Sequence, residues 1–171
     1  MPNYTTADIR NIALVGHGGS GKTTLGDAIL HLTGVTSRQG NVSDKSSYLD
    51  FTDEEKSRGC SIDSAVMHVR VENKEINVIV TPGAPDFIGP AIASLAGVET
   101  AVCVISAVAG IEVNTRRMME KAREFGLGRM IVINKIDAEN ANCEELVRQV
   151  QESFGKACQP FNLPSGGGAS V

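Results

Sequence analysis

Short apolar segments alternate with segments of helical periodicity along most of this chain. Residues 12–15, 100–105 and 130–133 are apolar runs, which is the pattern of strands buried on both faces of a parallel sheet. Between these runs, apolar side chains recur every three or four positions. This spacing predicts helices whose buried faces carry Leu25, Ala28, Ile29 and Leu32; Met118, Ala122 and Phe125; and Cys143, Leu146, Val147, Val150 and Phe154. The alternation of strands and helices predicts a doubly wound α/β fold.

Two segments depart from this alternation. Residues 65–71 and 76–80 have strand patterns separated by a tight turn near Asn73 and Lys74, which predicts an antiparallel pair within the sheet. Residues 34–61 are rich in Ser, Asp and Gly, so we expect a mobile loop of the functional kind, a candidate switch.

The composition is that of one domain with a local anion site. The chain has 171 residues, of which 42% are apolar, and its net charge of −4 disfavours broad binding to nucleic acid. Its four cysteines have no zinc spacing, and it has no secretion signal or long apolar run, so we expect a cytoplasmic protein without a membrane span. We expect a domain over 1–155 and a linker or disordered tail over 156–171, where Pro and Gly replace any periodicity.

The segment GHGGSGKT follows the first predicted strand and precedes the first predicted helix. It matches the phosphate loop G-x-x-x-x-G-K-[ST], in which glycines let backbone N–H groups face phosphates and the lysine adds a positive charge. Thr23 would place its hydroxyl on Mg²⁺. The nucleotide-binding candidates are therefore Gly16, His17, Gly18, Gly19, Ser20, Gly21, Lys22, Thr23 and Thr24.

The same glycines also satisfy the G-x-G-x-x-G pattern of dinucleotide-binding oxidoreductases. That fold needs an acidic residue about 20 positions later, at the end of a second parallel strand. This chain has a polar loop around Thr36 and Arg38 instead, which disfavours the alternative.

A second motif follows the predicted strand at 130–133, where open α/β sheets bind ligands. Asn134, Lys135 and Asp137 belong to the tetrad NKID. A carboxylate at Asp137 would accept hydrogen bonds from guanine N1–H and the exocyclic amine, whereas adenine offers no such amine. The tetrad therefore predicts selection of guanine nucleotides.

These segments resemble the guanine-nucleotide domain of the translational GTPases, and elongation factor G most closely. IRNIALVGHGGSGKTTL is similar to the family's phosphate loop, DFTDEEKSRGCSIDSA to its first switch, TPGAPDF to its second switch and INKID to its guanine tetrad. The resemblance implies a three-layer P-loop NTPase fold, whose doubly wound sheet is mostly parallel with one antiparallel edge strand. It also implies GTP or GDP with Mg²⁺ as ligands, and the ribosome as a partner of the full-length protein.

The resemblance extends to single positions in the switches. Gly83 stands at the nucleotide-binding glycine of the second switch. Ser61 stands where the family uses a threonine that senses Mg²⁺ and the γ-phosphate, so Thr23 and Ser61 are the metal candidates.

The second switch also departs from the family. Val80 and Ala84 occupy the positions of the family's aspartate and histidine. Loss of a group that orients metal-bound water typically lowers metal affinity or activity about 10- to 100-fold. Loss of a positioned acid–base group typically lowers the reaction rate about 10²- to 10⁴-fold. No catalytic residue can be assigned, and we expect impaired GTP hydrolysis. A hydrolytically silent module that docks on the ribosome or another partner is the alternative.

Four further expectations follow from the resemblance. We expect Asp86 to cap the next helix or contact the switch backbone, and the acidic residues 53–55 to form a solvated helical face. Gly19 replaces an aspartate that the family associates with a monovalent cation, so that cation site is not expected. The family's base-backing Ser-Ala segment is missing, which predicts a sheet without its last strand, weakened nucleotide affinity and an exposed edge.

Overall fold

The fold is built on one five-stranded sheet. A computed structural model describes residues 4–165. The strands are β1 (Ile9–Val15), β2 (Ala65–Val71), β3 (Lys74–Val80), β4 (Thr100–Ser106) and β5 (Gly128–Asn134). Their order is β2-β3-β1-β4-β5, and only the β2–β3 pair is antiparallel. The predicted mostly parallel sheet with one antiparallel edge strand is confirmed.

Helices cover both faces of the sheet. They are α1 (Lys22–Leu32), α2 (Asp53–Arg58), α3 (Ile88–Leu95), α4 (Val113–Glu124) and α5 (Cys143–Phe154), with short 3₁₀ turns at Thr6–Asp8 and Pro85–Phe87. Residues of α1 belong to one apolar cluster and residues of α3, α4 and α5 to the other. The three predicted layers are therefore present.

Alternation along the strands separates the two clusters. Ala13 and Val15 of β1 face the cluster under α3, α4 and α5, whereas Leu14 faces the cluster under α1. Successive side chains of a strand point to opposite faces, so one continuous apolar run supplies both cores.

The strand order excludes the dinucleotide-binding alternative. In that fold the chain returns from its first helix into a strand parallel to β1. Here the strand that follows α1 and α2 is β2, which lies at the sheet edge and runs antiparallel to β3. The glycine pattern therefore belongs to the phosphate-loop type of turn.

The strands are longer than the apolar runs predicted. Polar residues that precede the predicted runs still belong to the strands: Asn11 of β1 lies opposite Asn77 of β3, and its Oδ1 accepts a hydrogen bond from Asn77 Nδ2 at 2.8 Å. The hairpin turn was misplaced by one residue, because Lys74 already pairs with Val71 and the turn is formed by Glu72 and Asn73.

Two helical faces differ from the prediction. Leu32 is 84% exposed at the end of α1, and the buried positions of that helix are Lys22, Gly26, Asp27 and Leu30. Phe125 follows the last residue of α4 and is 47% exposed. Leu25 and Ile29 do pack against the α1-side cluster, as predicted, but the count of apolar residues missed Gly26 and Asp27 at the centre of that face because one is a glycine and the other an aspartate.

Residues 34–52 contain no helix or strand, as expected of a loop, but parts of the segment 34–61 pack against the domain. Leu49 is buried in the α1-side cluster, and residues 53–58 form α2. Glu55 is fully buried, so the acidic run is helical but not wholly solvated. Its carboxylate accepts hydrogen bonds from the backbone N–H groups of Thr52, Ile62 and Asp63.

The end of the described chain contains no further helix or strand. α5 ends at Phe154, and the Cys158 carbonyl accepts a hydrogen bond from Gln151 Nε2 at 3.0 Å, which holds the next turn against the helix. Residues 166–171 of the predicted tail lie outside the described residues, and the boundary at 155 stays a prediction. Within residues 4–165, no helix is long and apolar enough to cross a membrane.

Candidate nucleotide-binding site

The phosphate-loop candidates lie between β1 and α1, at the carboxyl end of β1. Gly16 to Gly21 form the turn, and Lys22, Thr23 and Thr24 form the first turn of α1. Gly21 caps α1 with a left-handed backbone (φ 95°), and a Cβ there would lie 2.3 Å from Asn134 Nδ2. A helix amino terminus leaves N–H groups without intrahelical partners, which favours an anion.

The loop curls around the amine of Lys22. Lys22 Nζ donates to the carbonyl oxygens of Gly16 at 3.1 Å and His17 at 2.6 Å. The residue is only 5% exposed, and burial lowers the pKa of Lys22 to about 8. A nearby anion would offset the cost of burying this charge, as expected of a phosphate-binding lysine.

The predicted second switch lies against this amine. A Cβ on Gly83 would be 2.4 Å from Lys22 Nζ and 2.6 Å from the backbone nitrogen of Gly18. Such close approach admits only glycine. The structure therefore places Gly83 beside the phosphate loop.

The guanine tetrad is also joined to the phosphate loop. Asn134 Nδ2 donates to the Ser20 carbonyl at 3.0 Å, which braces the loop from the end of β5. Lys135 has a left-handed backbone (φ 60°) that turns the chain out of the strand. The side chains of Lys135 and Asp137 are exposed and have no hydrogen-bond partner among residues 4–165, so both can meet a ligand.

The two metal candidates touch each other. Thr23 Oγ1 lies 3.0 Å from Ser61 Oγ, and Ser61 Oγ donates to Asp50 Oδ1 at 2.6 Å. Because Ser61 donates its single hydroxyl hydrogen to Asp50, the hydroxyl of Thr23 must be the donor in the hydrogen bond between Thr23 and Ser61. Burial raises the pKa of Asp50, against the opposing hydrogen bond from Ser61.

Oxygen donors of this kind suit Mg²⁺. Within residues 4–165, no group of three or more His, Cys, Asp or Glu side chains is placed to hold a metal ion.

Val80 and Ala84 place no polar side chain at the second switch. Val80 is 1% exposed and packs in the α1-side cluster, and a Cβ on Gly26 would lie 3.1 Å from its methyl group. The expectation for Asp86 is wrong. Its side chain is exposed and makes no hydrogen bond among the described residues, and α3 begins without a side-chain cap.

His17 contacts an element that the sequence did not connect with the site. Its Nδ1 meets Glu112 Oε2 at the start of α4. Burial lowers the pKa of His17, Glu112 opposes that effect, and the positive charges of Lys22 and Lys135 reinforce it. With the imidazole neutral, Nδ1 carries the proton and donates to Glu112.

Sequence reasoning missed four residues around the site. They are Asp27, Asp50, Glu112 and Asn114. Asp27 is fully buried and accepts a hydrogen bond from the Tyr48 N–H at 3.0 Å, while Asn114 Nδ2 donates to the Gly83 carbonyl at 2.9 Å. Asp50 begins the segment that resembles the first switch, whereas Asp27, Glu112 and Asn114 belong to no local motif.

Buried Glu55, by contrast, had a signal in the sequence. Thr52 and Glu55 form a capping box at the start of α2, and the spacing T-x-x-E indicates it.

Comparison with known proteins assigns the family. The model of the elongation factor Tu GTP binding domain matches residues 7–164. An elongation factor G-like protein of Mycobacterium tuberculosis is 36% identical over 160 residues, which cover 94% of this chain and 22% of that protein. The mitochondrial ribosome-releasing factor 2 of Yarrowia lipolytica is 36% identical over 85% of this chain and 18% of its own length.

Solved structures agree with the sequence matches. A crystal structure of a Thermus thermophilus protein superposes with a TM-score of 0.84 at 34% identity, over 87% of this chain and 22% of that one. The chain thus spans about a fifth of the length of these relatives. Its fold, its phosphate loop and the match over residues 7–164 together show that the chain belongs to the elongation factor Tu GTP-binding domain family and is a translational GTPase G domain.

Proposed function

We propose that this chain binds GTP and GDP with Mg²⁺ and serves as the nucleotide switch of an elongation factor G-like protein acting on the ribosome in the cytoplasm. The observation that carries the proposal is the backbone cradle around Lys22, braced by Asn134 and covered by Gly83. The names of the similar proteins, an elongation factor G-like protein and a ribosome-releasing factor, support the translational role.

The residues have separate tasks in this proposal. The N–H groups of the loop and of the first turn of α1 bind phosphate oxygens, and Lys22 neutralises part of their charge. Asp137 selects guanine, and Lys135 lies beside it. Thr23 and Ser61 hold Mg²⁺, which when bound shields the phosphate charges.

The proposal predicts selective and metal-dependent binding. Isothermal titration of the 171-residue chain should show GDP binding that exceeds ADP binding and weakens without Mg²⁺. Asp137→Asn should lower GDP affinity roughly 10- to 100-fold and favour xanthosine diphosphate, because the amide donates where the carboxylate accepted. Glu139→Gln, an exposed neutralisation two positions later, is the matched control. Equal affinity for GDP and ADP would contradict the proposal.

A hydrolytically silent switch is the second candidate, and Val80 and Ala84 favour it. Neither side chain can bond or orient a water molecule, and Val80 is committed to the apolar core. We expect slow hydrolysis in the full-length protein on ribosomes, and faster phosphate release after the paired changes Val80→Asp and Ala84→His. An unmodified protein that releases phosphate as fast as ordinary relatives would rule this candidate out.

A further inference from the structure

The first turn of α4 reaches two loops of the site at once. Asn114 is 7% exposed, and its Nδ2 donates to the Gly83 carbonyl at 2.9 Å. Glu112, the residue just before the first turn of the same helix, contacts His17 of the phosphate loop. The second contact fixes the start of α4 relative to the phosphate loop, so the Asn114 amide has a defined position in the frame of the site.

Gly83 needs this external support. The side chains of Val80 and Ala84 cannot form a hydrogen bond. The Thr81 hydroxyl already donates its hydrogen to the Leu14 carbonyl at 2.9 Å. Asn114 supplies the hydrogen bond from outside the loop. A peptide group is planar, so a carbonyl held toward α4 fixes the orientation of the whole Gly83–Ala84 peptide.

Gly83 also lies where the terminal phosphate would be sensed. It packs against Lys22 Nζ and the Gly18 nitrogen, and the lysine of a phosphate loop reaches the β- and γ-phosphates. A group held in place before the ligand arrives loses less entropy on binding. A fixed Gly83 backbone therefore favours the ligand that carries the extra phosphate.

We propose that Asn114 is a positioning residue that sets the preference for triphosphate over diphosphate, by holding the Gly83 backbone over the phosphate loop. This inference rests on the proposed nucleotide site. It gives α4 a role in distinguishing triphosphate from diphosphate, which neither the phosphate loop nor the guanine tetrad performs. Asn114 touches only the protein backbone and acts through Gly83.

The test compares two nucleotides on the same chain. GDP and a non-hydrolysable GTP analogue are titrated calorimetrically into the wild-type 171-residue chain and into Asn114→Ala and Asn114→Asp, the second of which keeps the size but loses the donor. Loss of one hydrogen bond of ordinary strength should raise the Kd for the analogue about 3- to 10-fold, with the Kd for GDP unchanged within about twofold. Asn114→Gln, which keeps the donor, should recover part of the preference.

Thr115→Val is the matched control. Its hydroxyl is buried on the same helical turn and has no hydrogen-bond partner among the described residues, so removing it should leave both affinities unchanged. Parallel loss of both affinities in the Asn114 variants would show a merely structural role and overturn the inference, as would no change in either. A wild-type chain that binds neither nucleotide would overturn the proposed function and this inference with it, whereas normal wild-type binding with unaltered variants overturns this inference alone.

Discussion

Val80 illustrates how one position can belong to the core instead of the site. Its side chain is buried among Leu14, Met67 and Leu49 in the α1-side cluster, so an ionised carboxylate there would lose its hydration without a partner. We expect V80D to lower the free energy of unfolding by about 2–4 kcal/mol at pH 7 in EDTA, measured by urea denaturation.

The pH dependence of V80D separates charge from packing. Burial would raise the pKa of the new carboxyl above its unfolded value, so the penalty should shrink as the pH falls and the group becomes neutral. Val80→Ala, which removes methyl groups without adding charge, should show no such recovery. A V80D protein as stable as wild type at pH 7 would mean that the position is hydrated.

Gly83 has no room for a side chain, because the atoms around its Cβ position include backbone atoms of the phosphate loop. A Cβ would meet the Gly18 nitrogen at 2.6 Å, and a main-chain atom cannot swing aside as the end of a lysine can. We expect Gly83→Ala to lower the free energy of unfolding by about 1–3 kcal/mol in thermal or urea unfolding. Gly89→Ala in α3 is the control, since nothing lies within 4 Å of its Cβ position and a helical Gly→Ala change should stabilise by about 0.5–1 kcal/mol. Equal effects of the two changes would refute the close approach of Gly83.

The first-switch segment is held together by Glu55 of α2. Its carboxylate accepts hydrogen bonds from the N–H groups of Ile62 and Asp63 at 2.9 and 3.2 Å, and from Thr52 at the start of the helix. Burial alone would raise the pKa of Glu55, but these hydrogen bonds outweigh it and the pKa is lowered. We expect Glu55→Gln to lower the free energy of unfolding by about 1.5–3 kcal/mol, because the new amide leaves backbone donors unpaired. For the same reason, amide hydrogen exchange at Ile62 and Asp63 should be faster.

The difference in stability between wild type and Glu55→Gln should depend on pH with a definite sign. Because the folded pKa of Glu55 lies below its unfolded value near 4.5, the stabilisation is complete above pH 4.5 and is lost as the pH falls through the folded pKa. Glu54→Gln, an exposed change on the same helix, should alter neither stability nor exchange. Wild type and Glu55→Gln that unfold alike at pH 7 would show that Glu55 does not anchor the segment.

The order of the elements and two local motifs of the site were predictable from the sequence, because each depends on neighbouring residues. The buried strands are continuous apolar runs, and the phosphate loop and guanine tetrad are short motifs set beside them. The contact of Asn114 with Gly83 joins positions 31 residues apart and depends on how α4 lies over the sheet, which no local pattern encodes. The packing of residues 34–61 was missed for a related reason: Leu49 is one of a few scattered apolar residues in a polar segment, and no periodicity indicates that it fits over Gly26 of α1.

At the scale of the whole sheet, the described residues leave two edges open, β2 and β5. Met130 of β5 is 51% exposed and follows the exposed Arg129, whereas β2 carries Arg70 in its second half, on the same face as the exposed Val66. A charged side chain on an edge opposes pairing with another chain, and because Arg129 lies at the start of β5, the apolar residues 130–133 that follow it carry no charge and β5 is the edge more prone to self-association. We expect the chain to associate reversibly at tens of micromolar or above, on the order of the range where weak edge contacts form.

Sedimentation velocity of two charge variants identifies the edge that associates. Met130→Lys should weaken association about tenfold or more, because a charge is introduced into an apolar contact between edges. Val66→Lys should have little effect, since β2 already carries the exposed Arg70. A larger loss of association in Val66→Lys than in Met130→Lys would place the contact at β2. A chain that stays monomeric at every concentration would show that the open β5 edge does not self-associate.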